Sequence, residues 1–169
     1  SSMSTISSLC AAVGDADSQL WLYWVPHSRI REWLLPWYWW GMAALRRPMQ
    51  DVSWDLLRLG LNVSTVLTRS RVPVVTLETL FQMFGVESIG IFKVDAEGLD
   101  GEIIEQLLRL ADKLPSVLPC EVRFEYRHLH PVVVARLANL LRNRGFNVTR
   151  DNVSRDVTAR HLSKGCRSQ

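Results

Sequence analysis

The sequence predicts an α/β fold with a largely parallel sheet. Three observations carry that expectation. From residue 72 onward, apolar runs of strand length alternate with amphipathic runs of helix length. Each helical run meets a glycine or proline stop. The run 89–94 lacks the in-out alternation of a half-exposed strand, which suits a strand covered on both faces. Strand–helix–strand units at this spacing imply right-handed crossovers. The chain has 169 residues, 47% of them hydrophobic, enough for one domain with a real core.

Taken in order, residues 8–13 and 19–25 read as two strands joined by the turn Gly14-Asp15-Ala16-Asp17, an early hairpin. Residues 26–70 are irregular, broken by Pro26, Pro36 and Pro48, with a helical candidate at 51–59 stopped by Gly60. This segment reads as an insertion or lid. Residues 72–75 form a short strand, Thr76 caps a helix running to Phe84, and Gly85 ends it. After the strand 89–94, the run 101–114 places Ile103, Ile104, Leu107, Leu108, Ala111 and Leu114 on one helical stripe. Glu105 and Arg109 pair at i,i+4 on the opposite side. Pro115 stops that helix, 117–126 is the next strand, and Pro131 opens a helix that ends at Arg144 with Gly145 as its cap. Residues 146–150 and 155–160 close the chain as strands around the Asp151-Asn152 turn, the last of them antiparallel.

Net charge is +3, from 20 basic and 17 acidic side chains spread along the length. That is too dilute for a nucleic-acid footprint, which needs clustered cations with stacking aromatics between them. Cys10, Cys120 and Cys166 are odd in number and in no metal spacing. They suit a reducing, cytoplasmic setting rather than a disulfide scaffold, and no metal site is expected. Three Asn-x-Ser/Thr sequons, at Asn62, Asn147 and Asn152, bear on the protein only where it enters a secretory pathway, and no signal-peptide pattern is seen. No apolar stretch reaches 18 residues, so no transmembrane segment is expected.

The segment IFKVDAEGLDGE, residues 91–102, carries the chemistry. A strand ending in Lys93, Asp95 and Glu97 puts a cation between two carboxylates on one side, if it stays extended. In open α/β sheets, ligands sit beyond the carboxyl ends of strands. Gly98 lets the backbone turn, and Asp100 and Glu102 read as cap and first-turn residues near the positive end of the helix dipole. Ending a covered strand with two carboxylates costs desolvation that a cap does not require, which favours a site at Asp95 and Glu97.

Residues 74–107, VVTLETLFQMFGVESIGIFKVDAEGLDGEIIEQL, resemble the signature of the FkbM-type methyltransferase family: a Thr-Leu-acid helix start, then a strand ending Lys-hydrophobic-Asp-hydrophobic-Glu-Gly. Thr76, Leu77, Glu78, Lys93, Asp95, Glu97 and Gly98 match. AAVGDADSQLWLYWVP, residues 11–26, is similar to the family's third strand and following hairpin, and LPWYWWGM, residues 35–42, to a Leu-Pro-x-Trp stretch of some members. The resemblance spans roughly residues 8–150. It implies a Rossmann-like sheet, mostly parallel with an antiparallel C-terminal strand, and S-adenosylmethionine as cofactor. It also implies methyl transfer to a hydroxyl of a sugar or small metabolite. Asp95 would be first and Glu97 second in taking or orienting the acceptor proton, with Lys93 as electrostatic support. The family's first two strands, with their Gly-rich turn, are missing here; no Gly-x-Gly occurs. Ala12 and Asp15 are left as cofactor neighbours, and the expectation is a truncated domain that in isolation binds no cofactor and is inactive.

Glu125 and His128, near the end of a strand, are candidates for an acceptor pocket; His130 reads as a turn residue. Six of the seven tryptophans lie between Trp21 and Trp40. They read as a bulky cover over the sheet edge, with self-association as a consequence of exposure. The alternative function is a non-catalytic module that binds a partner or membrane surface through this Trp-rich region.

Overall fold

A computed structural model describes residues 9–36, 43–44, 56–96 and 98–163. The fold is α/β with two four-stranded sheets, and the chain divides into two units, residues 1–12 with 16–75 and residues 13–15 with 76–169.

The first unit is built on β2 (Ser18–Trp24) and β4 (Thr68–Val75), paired antiparallel from Ser18↔Val74 to Trp24↔Thr68. With β1 (Ala12–Val13) and β3 (Ala43–Ala44) the sheet order is β1-β4-β2-β3. The expected hairpin between the first two strands does not form, because β4 takes the place beside β2. Seven register pairs with a long strand outweigh what a two-residue partner offers. Residues 9–11, expected in a strand, are irregular, and 8 lies outside the described residues. Val25, Ile30, Leu35, Leu56 and Val66 form a small core in this unit. Ile30 comes from α1 (His27–Glu32) and Val66 from α2 (Val63–Val66), whose first turn is capped by Asn62 Oδ1 accepting from Ser64 N at 3.0 Å. Of the helical candidate 51–59, residues 56–58 are helical; 51–55 lie outside the described residues. On the sheet surface, Trp21 lies under the guanidiniums of Arg69 and Arg71, 4.4 and 5.4 Å from its ring centre.

The second unit holds the larger core. Thr76 caps α3 (Leu77–Phe84) by accepting from Thr79 N at 3.0 Å, and Gly85 ends it at φ +59°. The sheet order is β5-β6-β8-β7, from β5 (Ile91–Val94), β6 (Glu121–Glu125), β7 (Phe146–Asp151) and β8 (Asp156–His161). β5 and β6 pair parallel, and β8 is antiparallel to both β6 and β7. β5, β6 and β7 therefore share a direction, and β8 alone is reversed. Since β8 sits in the middle, parallel pairing is confined to β5 and β6, less than the sequence leads one to expect.

Helices α4 (Asp100–Lys113) and α5 (Pro131–Arg142) supply the crossovers. The predicted stripe on α4 is buried at Ile103, Ile104, Leu107, Leu108 and Ala111, against Val122, Phe124, Val157 and Ala159 of the sheet and Val134, Leu137 and Leu141 of α5. Leu114 falls outside the helix and is exposed. Arg144 clamps the far ends of the two helices, its Nε and Nη2 donating to Asp112 Oδ1 and Oδ2 at 3.2 and 2.7 Å. The strand expected at 117–126 starts only at Glu121, because Pro115–Val117 takes a 3₁₀ turn that buries Val117.

Coverage of the 89–94 run on both faces is not observed. β5 begins at Ile91, which is 62% exposed; Phe92 and Val94 turn inward while Lys93 stays exposed. The outer face of this sheet is polar instead. Glu121, half-buried there, bonds Arg160 Nε at 2.8 Å through Oε2 and Arg123 Nε through Oε1. Partial burial pushes its carboxyl up, but the two guanidiniums outweigh that and hold it below the usual carboxylate range. The reduced state expected of the cysteines fails at one position: Cys10 is free, whereas Cys120 is disulfide-bonded. Among the described residues, no helix is long and apolar enough to cross a membrane.

Candidate functional site

The carboxyl ends of β5 and β6 lie side by side, with Val94 in register with Phe124. Asp95 and Glu125 are the next residues along the chain at this end of the parallel pair; Asp95 is exposed and Glu125 half-buried. Lys93, one repeat earlier on β5, is exposed as well. Glu97 lies outside the described residues. The loop after β5 approaches the turn after β6: a Cβ placed on Gly98 would stand 3.6 Å from His128 Cβ and 3.7 Å from His128 O. His128, exposed on that turn, is thus brought to the loop that carries Asp95. His130 caps α5, its Nδ1 accepting from Val132 N at 3.3 Å.

Asp100 holds this loop in shape. It is the first residue of α4 rather than its cap, and it is only 1% exposed. Its carboxylate accepts from Ala96 N at 3.4 Å through Oδ1 and from Gly98 N at 3.2 Å through Oδ2. Two backbone donors that would otherwise be orphaned are satisfied by one side chain. Burial raises its carboxyl above the usual range; the backbone hydrogen bonds oppose that, and the nearby Asp95 charge adds to it. Sequence reading gave Asp100 only a capping role. The available signal was helical phase: 100, 103, 104, 107, 108 and 111 lie on one stripe, so position 100 was marked for burial by the same periodicity that marked the leucines.

Gly98 has φ +101°, in the region that favours glycine, and no Cβ-bearing residue adopts it without strain. Gly98→Ala is expected to cost about 1–2 kcal/mol, read as a lower denaturant midpoint. Gly101 serves packing instead. A Cβ there would come within 3.2 Å of Val133 Cγ1, so its absence lets α4 approach α5 closely.

The cofactor candidates stand elsewhere. Ala12 is half-buried in β1. Asp15 is exposed, accepts from Gln106 Nε2 at 3.3 Å and lies 3.9 Å from Arg109 Nη2. Gln106 also accepts from Leu77 N at 3.4 Å, so it ties the start of α3 and the 13–15 segment to α4. No sequence motif marked Gln106; only the tertiary arrangement gives it two partners. Among the described residues, no three His, Cys, Asp or Glu side chains gather in a way that would hold a metal ion.

Comparison with family models matches residues 44–148 to the methyltransferase FkbM domain. Residues 93–128 fall inside the match, whereas Ala12, Asp15 and the 35–42 stretch precede it. No curated protein and no solved structure matches the chain.

Proposed function

With most of its length under that one family model, this chain belongs to the FkbM methyltransferase family, and from that membership we propose an S-adenosylmethionine-dependent O-methyltransferase acting on a hydroxyl of a sugar or other small metabolite. The single observation that most supports the proposal is the parallel register of β5 with β6 as far as Val94↔Phe124, after which Asp95 and Glu125 are the next residues along the chain. A Rossmann-like reading of the second unit is supported by three strands sharing a direction with β8 reversed between β6 and β7.

The donor supplies a methyl group on a sulfonium, open to in-line attack. Of the residues assigned to it, Asp15 has its carboxylate in contact with Gln106 and Arg109 and would hold the donor only by exchanging those exposed contacts for it. No step is therefore routed through it. The chain's own contribution is on the acceptor side. Asp95 orients the acceptor hydroxyl and accepts its proton, Glu97 is the second carboxylate in that role, and Lys93 supports their charge. Glu125 and His128 line the acceptor's other side.

Calorimetric titration of the folded chain with S-adenosylmethionine tests the reading. Saturable heat is expected of an enzyme; its absence from folded protein sinks the enzymatic proposal for this chain.

A second reading has its own observation. Trp21 is 38% exposed on one face of the first unit's sheet, where it is stacked with Arg69 and Arg71. Such a face suits a non-catalytic module that binds a partner or an anionic membrane surface. Co-sedimentation with phosphatidylserine vesicles, lost in Trp21→Ala, is the expected result for that role. Trp37, Trp39 and Trp40, which the sequence groups with this face, lie outside the described residues.

A further inference from the structure

Five asparagines occur in the chain, and three of them, Asn62, Asn147 and Asn152, begin an Asn-Val-Ser/Thr triplet. Serine and threonine together are 22 of 169 residues, so chance alone would give fewer than one such triplet among five asparagines. All three asparagines are exposed. Independently, Cys120 is disulfide-bonded, which is the state of a thiol in an oxidising compartment rather than in a glutathione-reduced one. Both observations point to the same place, the secretory lumen where oligosaccharide is added to asparagine.

We infer that Asn152, at the tip of the β7–β8 turn, is an N-glycosylation site, and that the protein passes through an oxidising secretory compartment. The conclusion does not depend on the methyltransferase reading. The geometry separates Asn152 from its two counterparts. Asn62 is engaged as the α2 cap, accepting from both Ser64 N and Ser64 Oγ. Asn147 lies within β7, in register with Arg160, where the ladder resists the bend that a transferase needs. Asn152 lies in a four-residue turn next to Val153, which is 95% exposed. The turn's shape is held by a neighbour, with Asp151 Oδ1 accepting from Val153 N at 2.8 Å and Ser154 N at 3.4 Å. Tyr126 donates its hydroxyl to Asn152 Oδ1 at 3.1 Å, leaving Nδ2, the nitrogen that is modified, outside that bond.

The donor is a polyprenyl-pyrophosphate-linked oligosaccharide. Asn152 Nδ2 attacks the anomeric carbon of its first sugar, a carbon–nitrogen bond forms, the carbon–oxygen bond to pyrophosphate breaks, and Nδ2 gives up one proton as polyprenyl pyrophosphate departs. A glycan there would stand at the end of β7, the outermost strand of its sheet, and guard that open edge against pairing with another chain.

The natural full-length protein, purified from its source cells, is treated with peptide N-glycosidase in heavy-oxygen water and its peptides are read by mass spectrometry. Conversion of Asn152 to heavy-oxygen-marked Asp is expected, and its loss in Ser154→Ala, which removes the triplet but keeps the asparagine. An unmarked Asn152, marking confined to Asn62 or Asn147, or a mark that persists in Ser154→Ala each overturns the inference.

Discussion

Asp95→Asn is expected to lower kcat/KM for methyl transfer by about 10²- to 10⁴-fold, or roughly 3–5 kcal/mol of barrier, while S-adenosylmethionine binding is unchanged. The substitution keeps the side chain's size and hydrogen-bonding reach but removes its capacity to take a proton. Asp95 is exposed, whereas Asp100 five residues on is buried and braces the loop, so the loss should not come from unfolding. Glu102→Gln, an exposed first-turn carboxylate on the same helix, is the control and is expected to retain parent activity. Equal rates for Asp95→Asn and the parent would move the proton acceptor elsewhere.

Asp100→Ala is expected to destabilise the second unit by about 2 kcal/mol, because it strands the Ala96 and Gly98 amides in a buried loop. The thermal midpoint should fall by roughly 6 °C. Asp100→Asn should cost less but not nothing, since its amide nitrogen must face one of two donors. The pH dependence has a definite sign. Asp100 has a folded-state carboxyl raised above its unfolded value, so between the two values the folded chain holds more of the proton. The stability this group contributes is fully present below the unfolded value and is lost as pH rises through the folded one. Urea midpoints of the parent should therefore lose ground to Asp100→Asn as pH rises through that interval and run parallel above it. A gap that widens in the opposite direction would contradict the burial argument.

Much of the second unit was legible from local pattern. Thr76, Gly85, the α4 stripe and Pro131 are recognisable because capping, left-handed glycine and helical phase act over a few residues. The acceptor-side candidates Lys93, Asp95, Glu125 and His128 rest on an equally local signal, charged and polar residues clustered at strand ends. Legibility fails where pairing partners are distant. Nothing in residues 8–25 announces that β4, fifty residues later, displaces the expected hairpin partner of β2. The 89–94 run reads as covered because apolar residues outnumber polar ones, but coverage depends on which neighbours arrive, and Ile91 meets none that bury it.

By itself the sequence determined most of the helices and strands of residues 76–161, the family, and the Asp95 carboxylate just after β5, since each rests on a pattern within a turn or two of helix or one strand. Only the tertiary structure decided that Asp100 is a buried brace, that Gln106 joins α3 to the 13–15 segment, that Asp15 is held by Arg109, and that Cys120 is oxidised. Those facts depend on which side chains long-range packing brings within 3–4 Å of one another, and a side chain's desolvation and partners are properties of that packing, not of its neighbours along the chain.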